Sequence, residues 1–496
     1  MKRIFDALGK LNRGTYVVLV LCAMTAIALP AQTFTTLFSF EGTNGAQPTA
    51  GLVQGANGDL YGATGGAGAH LGGTIFEFTP SGMLTTLHNF CSRSGCTDGA
   101  DPVGLVQATN GDFYGTTALG GVSGCSPSSS CGTILEITPS GMLTTLYSFC
   151  SSQTNCPDGY GPLAGLIQAT GGNFYGTTQL GGAHGSGTVF EITPSGALTT
   201  LYSFCPQPNC TDGSEPYAGL VQATNGDFYG TTTYGGANGV GTVFKITASG
   251  TLTTLYSFDG AHGAYPYAGL VQATNGDLYG TTGEGGTGAD CISTGGCGTV
   301  FKITPSGALS TLYSFCSQSG CADGEHPPAG LVQGTDGNLY GTIRNGGANK
   351  GGAIFKMTPS GALTTLYSFC SQSECTDGYY PETALLQDTN GNFYGVTPYG
   401  GANCGACGTI FSLSVGLGPF VKTLPHNGKV SQVIRILGTD LTGATAVTFN
   451  GTPAVFTIDA PTEITAAVPP GATTGAVQVT TPTGTLLSAG PFTVLP

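Results

Sequence analysis

Seventeen cysteines in 496 residues carry the most immediate chemistry in this chain, and their spacing narrows what that chemistry is. Cys22 stands alone. The rest fall into close pairs: Cys91/Cys96, Cys125/Cys131, Cys150/Cys156, Cys205/Cys210, Cys291/Cys297, Cys316/Cys321, Cys370/Cys375 and Cys404/Cys407. Each loop position carries both members of a pair or neither, so the partners are local. An even count in an exported chain points to disulfides. Zinc is the rival reading, and Cys404-Gly-Ala-Cys407 has the most zinc-like spacing. A tetrahedral site needs about four ligands, however, and the sequence matches no second pair to this one. Closing loops of this length stabilises by about 2 kcal/mol each in the chain-entropy model, less any strain.

A second set recurs at a similar spacing. An acidic residue precedes Gly at Glu41, Asp98, Asp158, Asp212, Asp259, Asp323 and Asp377. Carboxylates gathered on one face could hold calcium or a cationic group, as hard oxygen ligands do. The alternative is an Asp-Gly turn whose side chain caps nearby amides. The turn is the simpler account, because the acids come from different repeats and need not converge. His70, His184, His262 and His326 fall one per loop, without metal-ligand spacing, and read as solvated loop residues.

Enzyme chemistries make demands that can be checked. A sialidase-like site needs an arginine cluster, yet only Arg93, Arg344 and Arg435 lie beyond residue 31. A serine hydrolase wants a Gly-x-Ser-x-Gly elbow, and Gly185-Ser186-Gly187 lacks that context. The absence of Trp weakens a quinone-cofactor or sugar-stacking site. A glycoside hydrolase or lyase built on two loop carboxylates stays open as the alternative. No resident cofactor or metal is expected, with calcium the open question.

The elements that position these groups come from one repeated stretch, typified by Gly219-Leu-Val-Gln-Ala-Thr-Asn-Gly-Asp-Phe-Tyr-Gly-Thr-Thr232. Its Tyr-Gly pair recurs at Tyr61, Tyr114, Tyr175, Tyr229, Tyr279, Tyr340 and Tyr394, at spacings of 53, 61, 54, 50, 61 and 54 residues. The composition, with 85 Gly and only 8% charged residues, is that of short strands and tight turns. The fourth copy predicts strands at Gly219–Thr224, Phe228–Thr232, Thr242–Thr247 and Leu252–Phe258. Asn225-Gly226 and Ala248-Ser249-Gly250 are the tight turns. Four hairpin-linked strands per unit argue for propeller blades; a β-solenoid, built from shorter coils, is the rival. The recurring Gln54, Gln107, Gln168, Gln222, Gln272, Gln333 and Gln387 read as inter-blade contacts, as the tyrosines do. The cysteine pairs lie in loops after the second and fourth strands, on one face, which is the expected working surface.

The last copy ends at Gly408-Thr-Ile-Phe-Ser-Leu-Ser414 without a fourth strand, while Thr35-Thr-Leu-Phe-Ser-Phe40 supplies one before the first copy. Pairing the two would close a ring and hide its edges. The repeat resembles the GloVer tandem repeat of exported bacterial proteins over roughly residues 33–415. That resemblance implies export and variable surface-anchoring ends, and no assigned activity. Residues 417–496 break the period. Gly438-Thr-Asp-Leu-Thr-Gly443, Val447-Thr-Phe-Asn-Gly-Thr-Pro-Ala454 and Gly475-Ala-Val-Gln-Val-Thr480 resemble the IPT/TIG immunoglobulin-like domain, implying a spacer or binding module.

The expected architecture is therefore all-β: a signal peptide at 1–31, a seven-bladed β-propeller closed by an N-terminal strand at 32–416, and a small immunoglobulin-like β-sandwich at 417–496. The signal rests on Lys2, Arg3, Lys10 and Arg13 before an apolar run from Tyr16 to Leu29. Cleavage after Ala31 leaves 9 basic and 26 acidic side chains, a net charge of −17. Such a surface repels nucleic acid and anionic membranes. The sequence points to an exported, non-catalytic binding or scaffold protein, monomeric, with an extracellular glycan or protein ligand.

Overall fold

The computed structural model describes residues 32–122, 131–151, 155–288 and 295–495. The expected signal peptide, Cys125 and Cys291 lie outside these residues. In the fourth repeat the strands are Val221–Gln222, Phe228–Thr232, Thr242–Ile246 and Leu252–Ser257, paired in that order as an antiparallel meander. The first is much shorter than the sequence predicts. Its ladder with the second holds only Val221–Tyr229 and Gln222–Phe228. Gly219 is drawn instead toward the neighbouring sheet, where a Cβ would sit 3.2 Å from the Gly165 carbonyl oxygen. Ala223 already belongs to the turn, its carbonyl accepting from Gly226 N at 2.8 Å.

Burial falls from the second strand outward. Phe228–Thr232 is buried throughout, whereas Leu252–Ser257 is half-buried, with Thr253 exposed. Gly230 is required inside the second strand, because a Cβ there would meet the Phe244 ring at 2.6 Å and the Leu220 side chain at 2.9 Å.

Among the described residues the repeat region forms seven such four-stranded sheets. In the last, Leu386–Gln387, Phe393–Thr397 and Thr409–Ser414 are joined by Thr33–Ser39, which pairs antiparallel with Thr409–Ser414. Successive sheets interlock through recurring contacts. Second-strand hydroxyls reach the next sheet: Thr116 donates to Ala164 O at 2.8 Å, Thr177 to Ala218 O at 2.9 Å and Thr231 to Ala268 O at 3.0 Å. Tyr114 stacks on Phe174 and Tyr175 on Phe228, with centroids 4.1 Å apart in each pair.

The recurring glutamines form a relay. Gln168, Gln222, Gln272, Gln333 and Gln387 each accept through Oε1 from a backbone N–H of the preceding sheet, at Thr109, Thr170, Thr224, Thr274 and Thr335. Gln54 accepts likewise from Thr389 N at 3.2 Å, joining the last sheet to the first. Gln107 breaks the pattern. Its Oε1 is buried without a partner, and the first sheet carries Ala56 where the others carry Thr.

Residues after 420 form two further four-stranded sheets and a parallel pair, Asn427–Lys429 with Thr493–Leu495. Val421, Ile436, Val447, Phe449 and Ile464 share their core. This unit sits against the Asn-Gly turns of the repeat region. Thr462 Oγ1 donates to Ala56 O at 2.8 Å, and the Thr439 and Thr389 hydroxyls lie 3.0 Å apart. Lys422 donates to Gln387 O, and burial pulls its ammonium down to about 8. The long-loop face is therefore the one left uncovered by the C-terminal sheets.

Candidate functional site at the inner mouth of the loop face

Each repeat enters its first strand through a proline: Pro48, Pro102, Pro162, Pro216, Pro266, Pro327 and Pro381. The residues just before them are Gln47, Asp101, Gly161, Glu215, Tyr265, His326 and Tyr380, with φ of 54°, 55°, 65°, 54°, 51°, 53° and 56°. This left-handed conformation has a structural cause. It turns each N–H to a carbonyl of the preceding sheet: Glu215 N to Ser186 O at 2.9 Å, Tyr265 N to Val240 O at 2.9 Å, His326 N to Cys297 O at 2.8 Å. Gln47 N reaches Cys407 O at 3.0 Å, so the junction of last and first sheets is built the same way. The carbonyl faces home, as where Thr233 N donates to Glu215 O at 3.0 Å.

Glycine is the low-cost residue for this backbone, since L side chains lose about 1–2 kcal/mol there. Only Gly161 uses it. The other positions carry large and dissimilar side chains, in a repeat whose Gln, Tyr and Gly positions otherwise barely change. Strained, over-determined residues cluster at working sites, and these occupy corresponding junctions between successive sheets.

The junction between the fourth and fifth sheets is aromatic. Tyr234 and Tyr265 lie 5.4 Å apart at 63°, and Tyr217 and Tyr267 lie 5.8 Å apart at 88°. Burial first, then the nearby Tyr234 and Glu284, pushes the Tyr267 hydroxyl up to about 12. Between the sixth and seventh, Arg344 pairs with Glu382 at 2.5 Å and lies 5.3 Å over the Tyr380 ring. Tyr379 and Tyr399 stack at 5.4 Å beside it. His326 is held by a 2.7 Å hydrogen bond to Gly283 O, so it is fixed at a junction where the sequence predicted a solvated loop histidine.

Asp101 stands apart electrostatically, because burial alone pushes its carboxyl up to about 6. Its folded state holds a proton that the unfolded chain has already lost, so stability falls as pH rises from about 4 to 6 and is level above. Asp101→Asn should remove that fall and raise stability at pH 8 by about 2 kcal/mol after allowance for solvent screening. Urea denaturation of both proteins at pH 4, 5, 6 and 8 reads the difference.

The acids singled out by sequence do not form one centre. Asp158 accepts from Cys150 N at 2.9 Å and from the Tyr147 hydroxyl at 2.9 Å, and Asp212 from Cys205 N at 3.1 Å and the Tyr202 hydroxyl at 3.0 Å. Asp98, Asp323 and Asp377 are fully buried and bind Ser92, Ser317 and Ser371 of their own loops. Asp259 pairs with His262 at 2.7 Å. These six acids bond within their own repeats, whereas Glu41 accepts from Asn403 Nδ2 of another loop at 3.2 Å.

Disulfides join Cys91–Cys96, Cys150–Cys156, Cys205–Cys210, Cys316–Cys321, Cys370–Cys375 and Cys404–Cys407. Cys131 and Cys297 are also disulfide-bonded. Cys297, Cys316, Cys321 and Glu325 bring ligand atoms within 4.8 Å of one another, but the sulfurs are tied up as disulfides. Recurrence in sequence points away from the residues before the prolines, because theirs is the position that varies. Aligning the repeats on their prolines exposes them as the column that changes.

A family model described as the Gloeobacter/Verrucomicrobia repeat matches residues 24–124, 92–294 and 289–432. No curated protein matches the chain. Among solved structures, a catalytically inactive virginiamycin B lyase from Staphylococcus aureus with quinupristin is 14% identical over 77% of this chain and 99% of its own, with a TM-score of 0.50. The extracellular domain of a one-component system from Bacteroides thetaiotaomicron is 12% identical over 92% of this chain, also at 0.50. This chain spans 48% of that domain. At such identities the likeness shows a shared propeller-like, all-β fold. Because the repeat motif builds every sheet from Thr33 to Ser414 and the model spans most of the chain, the protein belongs to the Gloeobacter/Verrucomicrobia repeat family.

Proposed function

We propose that this is an exported, non-catalytic binding protein. Its seven sheets are the blades of a β-propeller closed by Thr33–Ser39, and the mouth on the loop face receives an extracellular glycan. The C-terminal sheets, an IPT/TIG-like sandwich in this reading, act as an accessory module on the opposite face. Local disulfides fit an oxidising, extracellular compartment, and the extracellular domain from Bacteroides thetaiotaomicron shares the propeller-like fold. The observation that carries the reading is the left-handed column: side chains kept at a conformational cost, on a scaffold that would accept glycine. Binding sites on rigid scaffolds have this character.

The test uses glycine as a conservative variant. A triple variant, Glu215→Gly, Tyr265→Gly and Tyr380→Gly, should keep or raise the melting temperature. Its retention on a polysaccharide panel should fall at least about tenfold. Retention unchanged in the triple variant would sink the reading. A polysaccharide-active enzyme is the second reading, favoured by the Asp101 carboxyl near 6, in the range useful to a general acid. Assaying the same panel for cleavage separates the two, because only the enzyme reading expects products, and expects Asp101→Asn to abolish them.

A further inference from the structure

We infer that the cleft between the Asn-Gly turn face of the repeat region and the C-terminal sheets is a second ligand site, one that takes an uncharged oligosaccharide. It lies on the face opposite the mouth and does not rest on the reading given for that face. Two cavities, of about 590 and 430 Å³, run along the cleft and meet at Thr170, His426 and Asn427. One wall is made by the first strands and turns of the second to fifth sheets, the other by residues between 424 and 435 and between 490 and 495. Cavities of this size, concave and shared between two units, are where small ligands usually bind.

Asn427 carries the argument. It is only 4% exposed and lines both cavities, yet its side-chain amide makes no hydrogen bond among the described residues. Buried amides are ordinarily paired, so this one holds a donor and an acceptor ready for an occupant of the cleft. The His426 ring beside it also has no partner among the described residues. Crowding by both walls pulls its imidazole below the usual value, and the neutral ring offers one donor and one acceptor. Thr109 and Thr170 spend their backbone N–H on Gln168 and Gln222 and leave their hydroxyls unbonded. Charge is missing: no Asp or Glu lines either cavity, and the one guanidinium, that of Arg435, is paired with Glu463. An ion entering would give up its water for no counter-charge, and a purely apolar molecule would strand the Asn427 amide. Sugar hydroxyls donate and accept at once, as the amide, the neutral imidazole and the threonine hydroxyls do. The C–H faces of the ring match the aliphatic side chains of Val106, Ile167, Val221 and Val271.

Calorimetric titration of the full chain decides the matter. The neutral probes are the β-1,4 trimers of glucose, mannose and xylose and the β-1,3 trimer of glucose; the charged ones are the trimers of glucosamine and galacturonic acid. At least one neutral trimer should bind, about tenfold or more tightly than either charged one. Thr170→Trp sets a bulky ring where the cavities meet and removes no side-chain hydrogen bond, and His426→Ala takes away the free imidazole. Each should weaken the neutral trimer about tenfold or more with little change in melting temperature. The triple glycine variant of the opposite mouth should alter its affinity less than about twofold. A charged trimer that binds as tightly as the neutral ones would overturn the inference. Unchanged affinity in Thr170→Trp or in His426→Ala would put the sugar elsewhere and overturn the site; loss in the triple glycine variant instead would put it in the mouth. Silence from every trimer overturns the cleft site, whereas the reading of the mouth falls only if its own polysaccharide panel is silent.

Discussion

Removing Thr33–Ser39 should cost the protein on the order of 5–10 kcal/mol of stability and leave it prone to self-association. The strand pairs with Thr409–Ser414 along its length, from Thr33 opposite Ser414 to Ser39 opposite Thr409. Its side chains tie three sheets together. Phe34 stacks on Tyr367 of the sixth sheet at 3.7 Å and 5°, and lies 5.3 Å from Phe411 of the seventh. Phe38 meets Phe78 of the first sheet at 6.0 Å. Truncating a fully buried aromatic costs about 3–5 kcal/mol, and the half-buried Phe34 and Phe38 each contribute a part of that; deletion also bares the Thr409–Ser414 edge as a template for intermolecular pairing. Urea denaturation and size-exclusion chromatography of the deletion variant read both effects. A melting temperature equal to that of the parent would mean the strand does not close the ring.

Asp377→Ala, like Asp323→Ala in the matching loop, should be among the most damaging substitutions at the loop acids, at about 1–3 kcal/mol. The carboxylate is fully buried. It accepts from the Tyr367 hydroxyl at 2.7 Å, from Ser371 N and Oγ at 2.9 Å each, and from Gln372 N at 3.4 Å. Alanine would leave the half-buried Tyr367 hydroxyl and the amides of the exposed Ser371 and Gln372 to find water or each other, so the loss is nearer one unmade hydrogen bond, at about 1–3 kcal/mol, than four. Asp377→Asn keeps one acceptor oxygen and should recover roughly half the loss. Asp259→Ala, whose partner is the exposed His262, should change stability by less than about 1 kcal/mol. Because protein donors already occupy both oxygens of Asp323 and Asp377, and Asp98 and Asp212 each offer one unpartnered oxygen in a different loop, added calcium should leave the wild-type melting temperature where it is. A calcium-dependent rise abolished by Asp377→Asn would revive the metal reading.

The sequence made the blade legible because its signals are local. The sequence locates Phe228–Thr232 to the residue, since Asn-Gly on one side and a Gly-rich loop on the other leave little freedom. Val221–Gln222 was drawn too long, because what shortens it is the approach of Gly219 to another sheet, a contact between repeats that no window of sequence contains. The cysteine partners could be read for the same local reason. The mouth could not. A left-handed backbone is usually announced by Gly or Asn, and Glu215, Tyr265 and Tyr380 give no such notice. Nor could the seat of the C-terminal sheets, whose Thr462 meets Ala56 across 406 residues of chain.

That last contact has a consequence for how the molecule is oriented. A series of near-identical sheets offers a second body much the same surface at every repeat, so it could settle at any of them. Here one sector is marked: Ala56 replaces threonine, Gln107 Oε1 loses its partner, and Thr462 docks at that spot. The mark works as a compass point. It fixes which way the tyrosine-lined and the arginine-bearing sectors look relative to the C-terminal sheets, so a surface that lies on those sheets and a ligand in the mouth are held at one bearing to each other.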